Sequence, residues 1–267
     1  MSPLAGKRVL ITRAKEQAGA LSELLEAHGA IPVSYPLLRF GPPEDRDPLD
    51  SALRHVSEFD WIFFTSQNAA HATAVRASEL GVPMQSGNYR VAVVGPTTRQ
   101  AAIEAGFCVE FVASRPIGIA LAEDLGEGLR GKRVLLPRSD RANDDLVTAL
   151  NGRGAQVTDV VAYRTLAGDN VDPETLRKVS SSCDAILFFN PAAVHVFAEA
   201  CGPEFVGSLG NSCWIAGSGP VTAEAMRAVG LKNFVVSINP AVAAVVDLLL
   251  RTFASQSNNS QSRTLRA

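Results

Sequence analysis

Residues 6–13 read GKRVLITR, and residues 131–138 read GKRVLLPR. Both stretches begin Gly-Lys-Arg, continue as a short apolar run and end on an arginine, at an offset of 125 residues. Short, continuous apolar runs are typical of parallel strands that are covered on both faces of a sheet. The chain therefore contains two copies of the same predicted strand.

The repetition continues beyond this strand. DWIFF at residues 60–64 returns as DAILF at 184–188, and GPTT at 95–98 returns as GPVT at 219–222, both at an offset of 124. A slippage of one residue across three segments is hard to obtain by chance, so the two halves are predicted to be structural copies. Each copy alternates strands and helices, which predicts an α/β fold with parallel sheets and right-handed crossovers.

The predicted strands are the short apolar runs of the two copies, at residues 8–11, 61–64, 91–94, 134–136, 186–189 and 213–216. The first helix is predicted over 14–28, and Gly29 follows its last turn as a C-terminal glycine would. Two longer extended segments, 31–40 and 157–166, lie at equivalent points of the repeat. They leave two arrangements open: a tandem divided near residue 130, or two crossovers that insert one domain into the other.

Composition excludes several classes of protein. With 267 residues, 46% of them hydrophobic and 19% charged, the chain is long enough for two packed domains. The net charge of −2 and the pI near 6.1 argue against a nucleic-acid partner. The four cysteines have no CxxC spacing, so they suggest neither a zinc site nor a redox motif and fit a reducing compartment.

No targeting or membrane segment is predicted. The N-terminal residues lead directly into a strand pattern, without the apolar stretch of a signal peptide. The most apolar run, 242–250, contains Asp247 and is far shorter than the ~20 residues that a spanning helix needs. We therefore expect a cytoplasmic protein without a membrane partner.

The polar turns that follow strands are candidate ligand sites. GSGPVT at 217–222 has Thr222 in place of the third glycine of a dinucleotide-binding turn, which excludes nicotinamide binding. The two Gly-Pro-x-Thr turns could bind an anion with helix N–H groups and the hydroxyls of Thr98 and Thr222, or these threonines could merely cap helices. Ser66 and Asn68 lie in a similar turn, with capping again the alternative.

Charged and titratable residues give a weaker signal. Arg13 and Arg138 end equivalent strands and could each bind a carboxylate, or could form surface ion pairs of little consequence. His71 and His195 are also equivalent, and we expect both to face solvent. We find no catalytic triad, paired acids or metal-ligand cluster. The residues alone predict a two-domain α/β protein that binds a small anionic ligand between its domains.

Taken in order, these motifs resemble the uroporphyrinogen-III synthase family over roughly residues 6–250. The segments that carry the resemblance are VLITR at 9–13, DWIFFTSQNA at 60–69, VGPTT at 94–98, GKRVLLPR at 131–138, AYRT at 162–165 and GPVT at 219–222. The family's fold implies two flavodoxin-like parallel-sheet domains, joined by a two-stranded β linker with the active-site cleft between them. Domain 1 would comprise residues 1–36 and 167–254, domain 2 residues 40–162, and residues 255–267 a flexible tail.

The resemblance also implies an activity: a monomeric enzyme that closes hydroxymethylbilane, a linear tetrapyrrole with eight carboxylates, to uroporphyrinogen III. Water is lost and ring D is inverted, with no cofactor or metal. Catalysis would rest mainly on positioning and on stabilising a developing cation. A non-catalytic two-lobed protein that binds small anions, or a regulatory domain of the same fold, is the alternative.

The resemblance assigns roles to particular residues. Tyr163 matches a linker tyrosine that assists departure of the substrate hydroxyl, although a packed hinge aromatic is the alternative. By position, Ser66, Asn68, Thr98 and Thr222 match polar cleft turns of the family, where they would bind substrate. Arginines are suited to a substrate with eight carboxylates, so we also expect Arg13 and Arg138 to bind it. The sequence departs from the family at NPA, residues 190–192, where relatives often carry serines.

Overall fold

The computed structural model describes residues 2–84, 87–239 and 241–264, with side chains as far as residue 255. The strands within these residues are β1 (Arg8–Ile11), β2 (Ile31–Ser34), β3 (Leu38–Gly41), β4 (Trp61–Phe64), β5 (Arg90–Val93), β6 (Val109–Val112), β7 (Arg133–Ser139), β8 (Gln156–Ala167), β9 (Ala185–Phe188), β10 (Trp214–Ser218) and β11 (Phe234–Ser237).

The helices described are α1 (Lys15–Ala27), α2 (Asp47–Arg54), α3 (Gln67–Glu79), α4 (Pro96–Glu104), α5 (Gly118–Leu125), α6 (Asp145–Gly152), α7 (Pro173–Ser181), α8 (Pro191–Cys201), α9 (Pro203–Leu209), α10 (Gly219–Ala228) and α11 (Val242–Thr264). Short 3₁₀ turns follow α2, at Val56–Glu58, and α5, at Gly126–Leu129. The first helix begins and ends within a residue of its predicted bounds. Gly29 follows it at φ +78°, a conformation that favours glycine.

The chain divides into two compact units. Unit 1 comprises Met1–Arg39 and Leu166–Ala267, and unit 2 comprises Phe40–Thr165. The predicted domains, 1–36 with 167–254 and 40–162, each lie within one unit, and we retain their bounds as a proposal. A tandem divided near residue 130 is wrong, because neither unit ends there.

The predicted flavodoxin-like parallel sheets are confirmed. The sheet of unit 1 has the order β11-β10-β9-β1-β2, and each neighbouring pair is parallel. With the strands of unit 1 numbered along the chain, this is the doubly wound order 2-1-3-4-5 read from its far edge. The other sheet has the order β3-β8-β7-β4-β5-β6. In it, β7 and β8 take the positions of β1 and β2, and β4, β5 and β6 take those of β9, β10 and β11. Strand β3 is added at one edge.

Each unit combines strands from both sequence copies. In unit 1, β1 of the first copy pairs with β9 of the second, with Val9 opposite Ala185. In unit 2, β7 pairs with β4 in the equivalent register, with Val134 opposite Trp61. The sequence repeat therefore does not coincide with the two units. Because one domain is inserted into the other, the strands of each sequence copy are divided between the two similar sheets.

Both faces of each sheet are buried, as the continuous apolar strands require. In unit 1, Leu10 and Ile186 belong to the core on one face, and Val9 and Leu187 belong to the core on the other. Unit 2 repeats this with Leu135 on one face and Leu136 on the other. Alternation of fully buried residues in strands is expected where helices cover both faces.

Each unit has, within itself, the same charged contact at the amino ends of two neighbouring strands. Asp184, before β9, accepts hydrogen bonds from Lys7 Nζ at 2.9 Å and from the Arg8 N–H at 2.8 Å. Asp60, before β4, accepts the same bonds from Lys132 Nζ and the Arg133 N–H, both at 2.9 Å. We call these two arrangements the aspartate clamps.

Three local predictions need correction. The extended segment 31–40 is two strands, β2 and β3, interrupted at residues 35–37, because Pro36 has no N–H and the strands belong to different sheets. Strand β6 was not predicted, since its alternating exposure departs from the continuous apolar pattern. Helix α11 continues through the first ten residues of the predicted tail, whereas 265–267 lie outside the described residues.

No helix described here is long and apolar enough to cross a membrane.

Candidate functional site

The hydroxyl of Ser66 lies at the carboxyl end of β4, where α3 begins. Ser66 is the N-cap of α3, and its Oγ accepts a hydrogen bond from the Ala69 N–H at 3.1 Å. The same Oγ lies 3.1 Å from the phenol oxygen of Tyr163. The capping alternative therefore holds for Ser66, but the cap also touches the predicted catalytic residue.

Tyr163 lies on β8 and is held by packing. Its ring meets Phe40 edge-on, with ring centroids 5.6 Å apart, and only 8% of the residue is exposed. Ser66 and Tyr163 can each donate to the other. Because Ser66 already accepts from Ala69, donation from Ser66 to Tyr163 would form a continuous chain of hydrogen bonds that leaves the phenol proton free for an outside acceptor.

A cavity of about 290 Å³ adjoins Tyr163 within unit 2. Much of its wall is apolar, from Phe40, Pro42 and Val75 among others, and Asn68 and His71 add polar groups. Asn68 is the second residue of α3, so it lies close to the Ser66 cap. His71 and its counterpart His195 are exposed, as the sequence predicts.

Thr98 and Thr222 do not cap helices. The N-cap residues of α4 and α10 are Gly95 and Ser218, and neither cap makes a side-chain hydrogen bond. Thr98 is 6% exposed and Thr222 is 3% exposed, so both threonines are packed inside their units. The capping interpretation is wrong for both, and their predicted contact with substrate stays a prediction.

The glycine-rich turn before α10 has a packing role. A Cβ on Gly217 would lie 2.4 Å from the terminal methyl of Met226 and 3.5 Å from the Thr222 methyl. The glycine at this point makes room for two side chains of α10.

Arg138 is buried in a network of carboxylates. Its guanidinium contacts both oxygens of Asp159, donates to Asp144 at 3.0 Å and donates to the Asn143 carbonyl. The hydrogen bonds to Asp159 raise the pKa of Arg138. With 8% of the residue exposed and its charge neutralised, Arg138 is a structural ion-pair centre in unit 2. The sequence left a surface ion pair open, and the structure places its two carboxylates, Asp159 and Asp144, at the surface of unit 2 while the guanidinium is buried.

Arg13 has different surroundings. Its guanidinium lies over the Phe189 ring, 4.6 Å from the centroid, and one nitrogen donates to Gln17 at 3.3 Å. Its Nε atom is buried without a hydrogen-bond partner, and burial lowers the pKa of the side chain. Within the described residues, no carboxylate lies within 4 Å of this guanidinium. Arg13 is therefore a partly buried cation that its own unit does not neutralise.

Asn190, at the position equivalent to Ser66, is a helix cap. Its Oδ1 accepts a hydrogen bond from the Ala193 N–H at 2.8 Å at the start of α8. The sequence favours this capping role over ligand binding. Unit 1 thus keeps the cap and has Leu38 at the position that corresponds to Tyr163.

Sequence reasoning did not single out Phe189, whose ring lies under the Arg13 guanidinium. Read alone, it is one more apolar residue at the end of a predicted strand. The internal repeat offered one signal: the residue equivalent to Phe189 is Thr65, so an aromatic ring stands where the other copy has a polar side chain.

Within the described part of the chain, no group of three or more histidine, cysteine, aspartate or glutamate side chains could hold a metal ion.

A family model described as uroporphyrinogen-III synthase HemD matches residues 19–247 of the chain. A curated uroporphyrinogen-III synthase of Synechococcus elongatus is 31% identical over 175 residues, which cover 65% of this chain and 66% of that protein. The porphyrin biosynthesis protein HemD of Ruminiclostridium josui is 28% identical over 93% of this chain. The chain spans only about half the length of this second relative, at 49%.

The solved structures include a similar fold. A mutant uroporphyrinogen III synthase of Thermus thermophilus superposes with a TM-score of 0.63 at 22% identity, covering 94% of this chain and all of the other. At this identity the likeness concerns the fold alone.

Proposed function

Because the chain belongs to the uroporphyrinogen-III synthase family, we propose that it is a lyase that closes hydroxymethylbilane to uroporphyrinogen III in porphyrin biosynthesis. The product would form with loss of water and inversion of ring D. The non-catalytic alternative is not favoured by the family match. We propose further that the enzyme acts as a cytoplasmic monomer.

The observation that carries the mechanism is the contact between Tyr163 and Ser66. The carbon–oxygen bond of the terminal hydroxymethyl group breaks, and its electron pair leaves with the oxygen as a lone pair of the pyrrole nitrogen moves in. The departing hydroxide takes a proton and becomes water. A phenol whose oxygen accepts from Ser66 has its own proton available for this step, directly or through a water.

The start of α3 supports this proton donation. The N–H groups at the start of a helix carry the positive end of its dipole, and Ser66 is hydrogen-bonded to one of them. Because the lone pair of Ser66 Oγ is engaged by this N–H, the hydroxyl proton of Ser66 is directed to the phenol oxygen. The phenol proton then points to an acceptor outside the relay.

Positioning would account for the choice of isomer. The cation left by loss of water closes unaided at the unsubstituted carbon of ring D and gives the type I product. Attack from the substituted carbon, through a spiro intermediate, requires that the chain be held in one geometry. We propose that Ser66 and Asn68 in unit 2, and the turns of Thr98 and Thr222, take part in holding it. Arg138 is left out of this set, because its charge is already neutralised.

The test is an isomer assay. Purified protein is added to freshly prepared hydroxymethylbilane, and the type I and type III uroporphyrins are separated after oxidation. We expect mostly type III with native protein and type I with heat-inactivated protein. A product that stays type I at every protein concentration would overturn the proposed function.

A further inference from the structure

We propose that Arg13, supported by the ring of Phe189, is a carboxylate-binding subsite of unit 1, and that it binds one acid side chain of the tetrapyrrole. This rests on the function proposed above for its choice of ligand. The position of Arg13, its lack of a counter-ion and its difference from Arg138 each support the inference.

Arg13 occupies the place where a ligand is expected in this fold. It follows β1, and Phe189 follows β9, and these two strands are neighbours in the sheet. In the order 2-1-3-4-5, the connections from strands 1 and 3 leave on opposite sides, which opens a crevice at their carboxyl ends. The pair therefore lies at the switch point of unit 1.

The register of the strands shows why Arg13 has no carboxylate partner among the described residues. In unit 2, Asp159 of β8 lies opposite Leu136 of β7 and forms an ion pair with Arg138. In unit 1, the residue opposite the equivalent Ile11 is Ser34. The residue equivalent to Asp144, the second partner of Arg138, is Gly19. Both carboxylates that neutralise Arg138 are thus absent at the positions facing Arg13.

Phe189 replaces the carboxylates as the support of the guanidinium. A ring beneath the planar group holds its orientation and attracts its charge, but it uses one face only and neutralises nothing. One terminal nitrogen uses one of its two N–H groups for the bond to Gln17, and the other N–H donors of the two terminal nitrogens are left for a planar acceptor. A carboxylate matches this fork with two parallel, charge-assisted hydrogen bonds.

Burial makes an external anion more favourable. A cation removed from water without a counter-ion is unfavourable, which is the reason the pKa of Arg13 is lowered. A carboxylate placed against it restores the lost interaction in surroundings that screen charge less than water does. The substrate class that fits is a polycarboxylate, and one of its acid groups would be fixed here.

The experiment measures binding separately from catalysis. Uroporphyrin III, the oxidised form of the proposed product, is titrated into the protein and its fluorescence is followed at equilibrium. We expect Arg13→Gln to weaken binding about tenfold, the loss of one charge-assisted pair. Arg251→Gln, which removes an exposed arginine of α11 in the same unit, is the matched control and should bind as the native protein does.

A second variant tests the reason for the free charge. Ser34→Asp places a carboxylate at the register position that Asp159 holds in unit 2, so it should neutralise Arg13 and weaken uroporphyrin binding as much as Arg13→Gln. In the isomer assay, Arg13→Gln should raise KM about tenfold and leave kcat within twofold.

The subsite would be overturned if Arg13→Gln bound uroporphyrin as tightly as Arg251→Gln does. It would also be overturned if Ser34→Asp bound uroporphyrin as tightly as the native protein does. These outcomes are independent of the proposed function. If native protein bound uroporphyrin through Arg13 but formed no type III product, the synthase proposal would fail and the subsite would stand.

Discussion

The two ends of the parallel sheets have diverged to different degrees. At the amino ends, both units carry the same aspartate clamp, with the same donors at nearly the same distances. At the carboxyl ends, equivalent positions hold different residues. Arg13 lies on Phe189 in unit 1, whereas Arg138 is neutralised by Asp159 in unit 2. Ser66 contacts Tyr163, whereas Asn190 only caps its helix.

This difference separates folding from function. An aspartate that ties two neighbouring strands together is needed wherever that strand pair occurs, so both copies retain it. A side chain beside a ligand is needed only where the ligand has a matching group. The two units need not contact the same groups of the proposed substrate, so the residues at their carboxyl ends need not agree. We infer that the amino ends stabilise the fold and the carboxyl ends carry the chemistry.

The largest effect should come from the two equivalent arginines. Arg138→Ala removes a buried guanidinium that is hydrogen-bonded to Asp159 and Asp144. Both carboxylates are exposed and regain water, so we expect the loss of these charge-assisted bonds to cost about 2 to 3 kcal/mol of unfolding free energy. Arg13→Ala removes a cation with no internal counter-ion, so its cost should stay under about 1 kcal/mol. Urea unfolding of the two variants measures the difference. Similar losses would mean that the two sites are not electrostatically distinct.

The aspartate clamps should respond equally. Asp60→Ala and Asp184→Ala each remove an acceptor of two hydrogen bonds, one of them from a charged lysine, and we expect each to cost about 2 kcal/mol. A large inequality between the two, measured in the same urea series, would break the symmetry on which the comparison rests.

The clamps also predict an acid limit of stability. Backbone donation from Arg133, helped by Lys132, lowers the pKa of Asp60 below its ordinary value of 3.8. For Asp184, burial raises the pKa, but the bonds from Lys7 and the Arg8 N–H outweigh it and the pKa is lowered. Both contributions are present above pH 3.8 and are lost as the pH falls through the folded-state values. The fall in unfolding free energy below pH 4 should be shallower in Asp60→Ala than in the native protein.

Tyr163→Phe tests the proton donor. The leaving group is expelled by a nitrogen lone pair and needs limited help, so we expect kcat to fall about tenfold, near 1.4 kcal/mol of barrier. KM should change little, because the hydroxyl acts mainly in the transition state. Full kcat with full type III selectivity would reduce Tyr163 to hinge packing against Phe40.

The smallest effect should come from salt. Carboxylate contacts that remain partly open to solvent are screened by ions, so KM for hydroxymethylbilane should rise by about threefold between low and high ionic strength. In Arg13→Gln, this dependence should be weaker, since one of the screened contacts is gone. An identical salt response in the two proteins would contradict the difference between the units.

The sequence predicted the fold better than it predicted the site. GKRVLITR and its copy identified the strands, because the continuous apolar runs and the repeat both reflect local sequence. The partner of β1 lies in the other copy, at β9, and the two arrangements left open could not be resolved without long-range contacts. The distinction between Arg13 and Arg138 depends on Ser34 and Asp159 across a neighbouring strand, which only the register reveals.

The site shows the same limit in another form. Ser66 and Tyr163 were both named, but their contact joins residues 97 apart in sequence. Thr98 and Thr222 were assigned to a helix start, where exposed hydroxyls are common, yet packing of α4 and α10 buries both. Residue type and spacing identify candidates, whereas burial and pairing are properties of the assembled sheet.

The two ends of one strand provide the most direct test of the central claim. Asp60 precedes β4 and Ser66 follows it, and both side chains make structural hydrogen bonds within unit 2. We propose to measure kcat/KM for type III formation with Asp60→Ala and Ser66→Ala at a temperature at which both are folded. We predict that Asp60→Ala retains the native kcat/KM within about twofold, whereas Ser66→Ala, which loses the donor to Tyr163, falls about tenfold. Equal losses in the two variants, or a loss in Asp60→Ala alone, would contradict the separation of folding from function along the sheet.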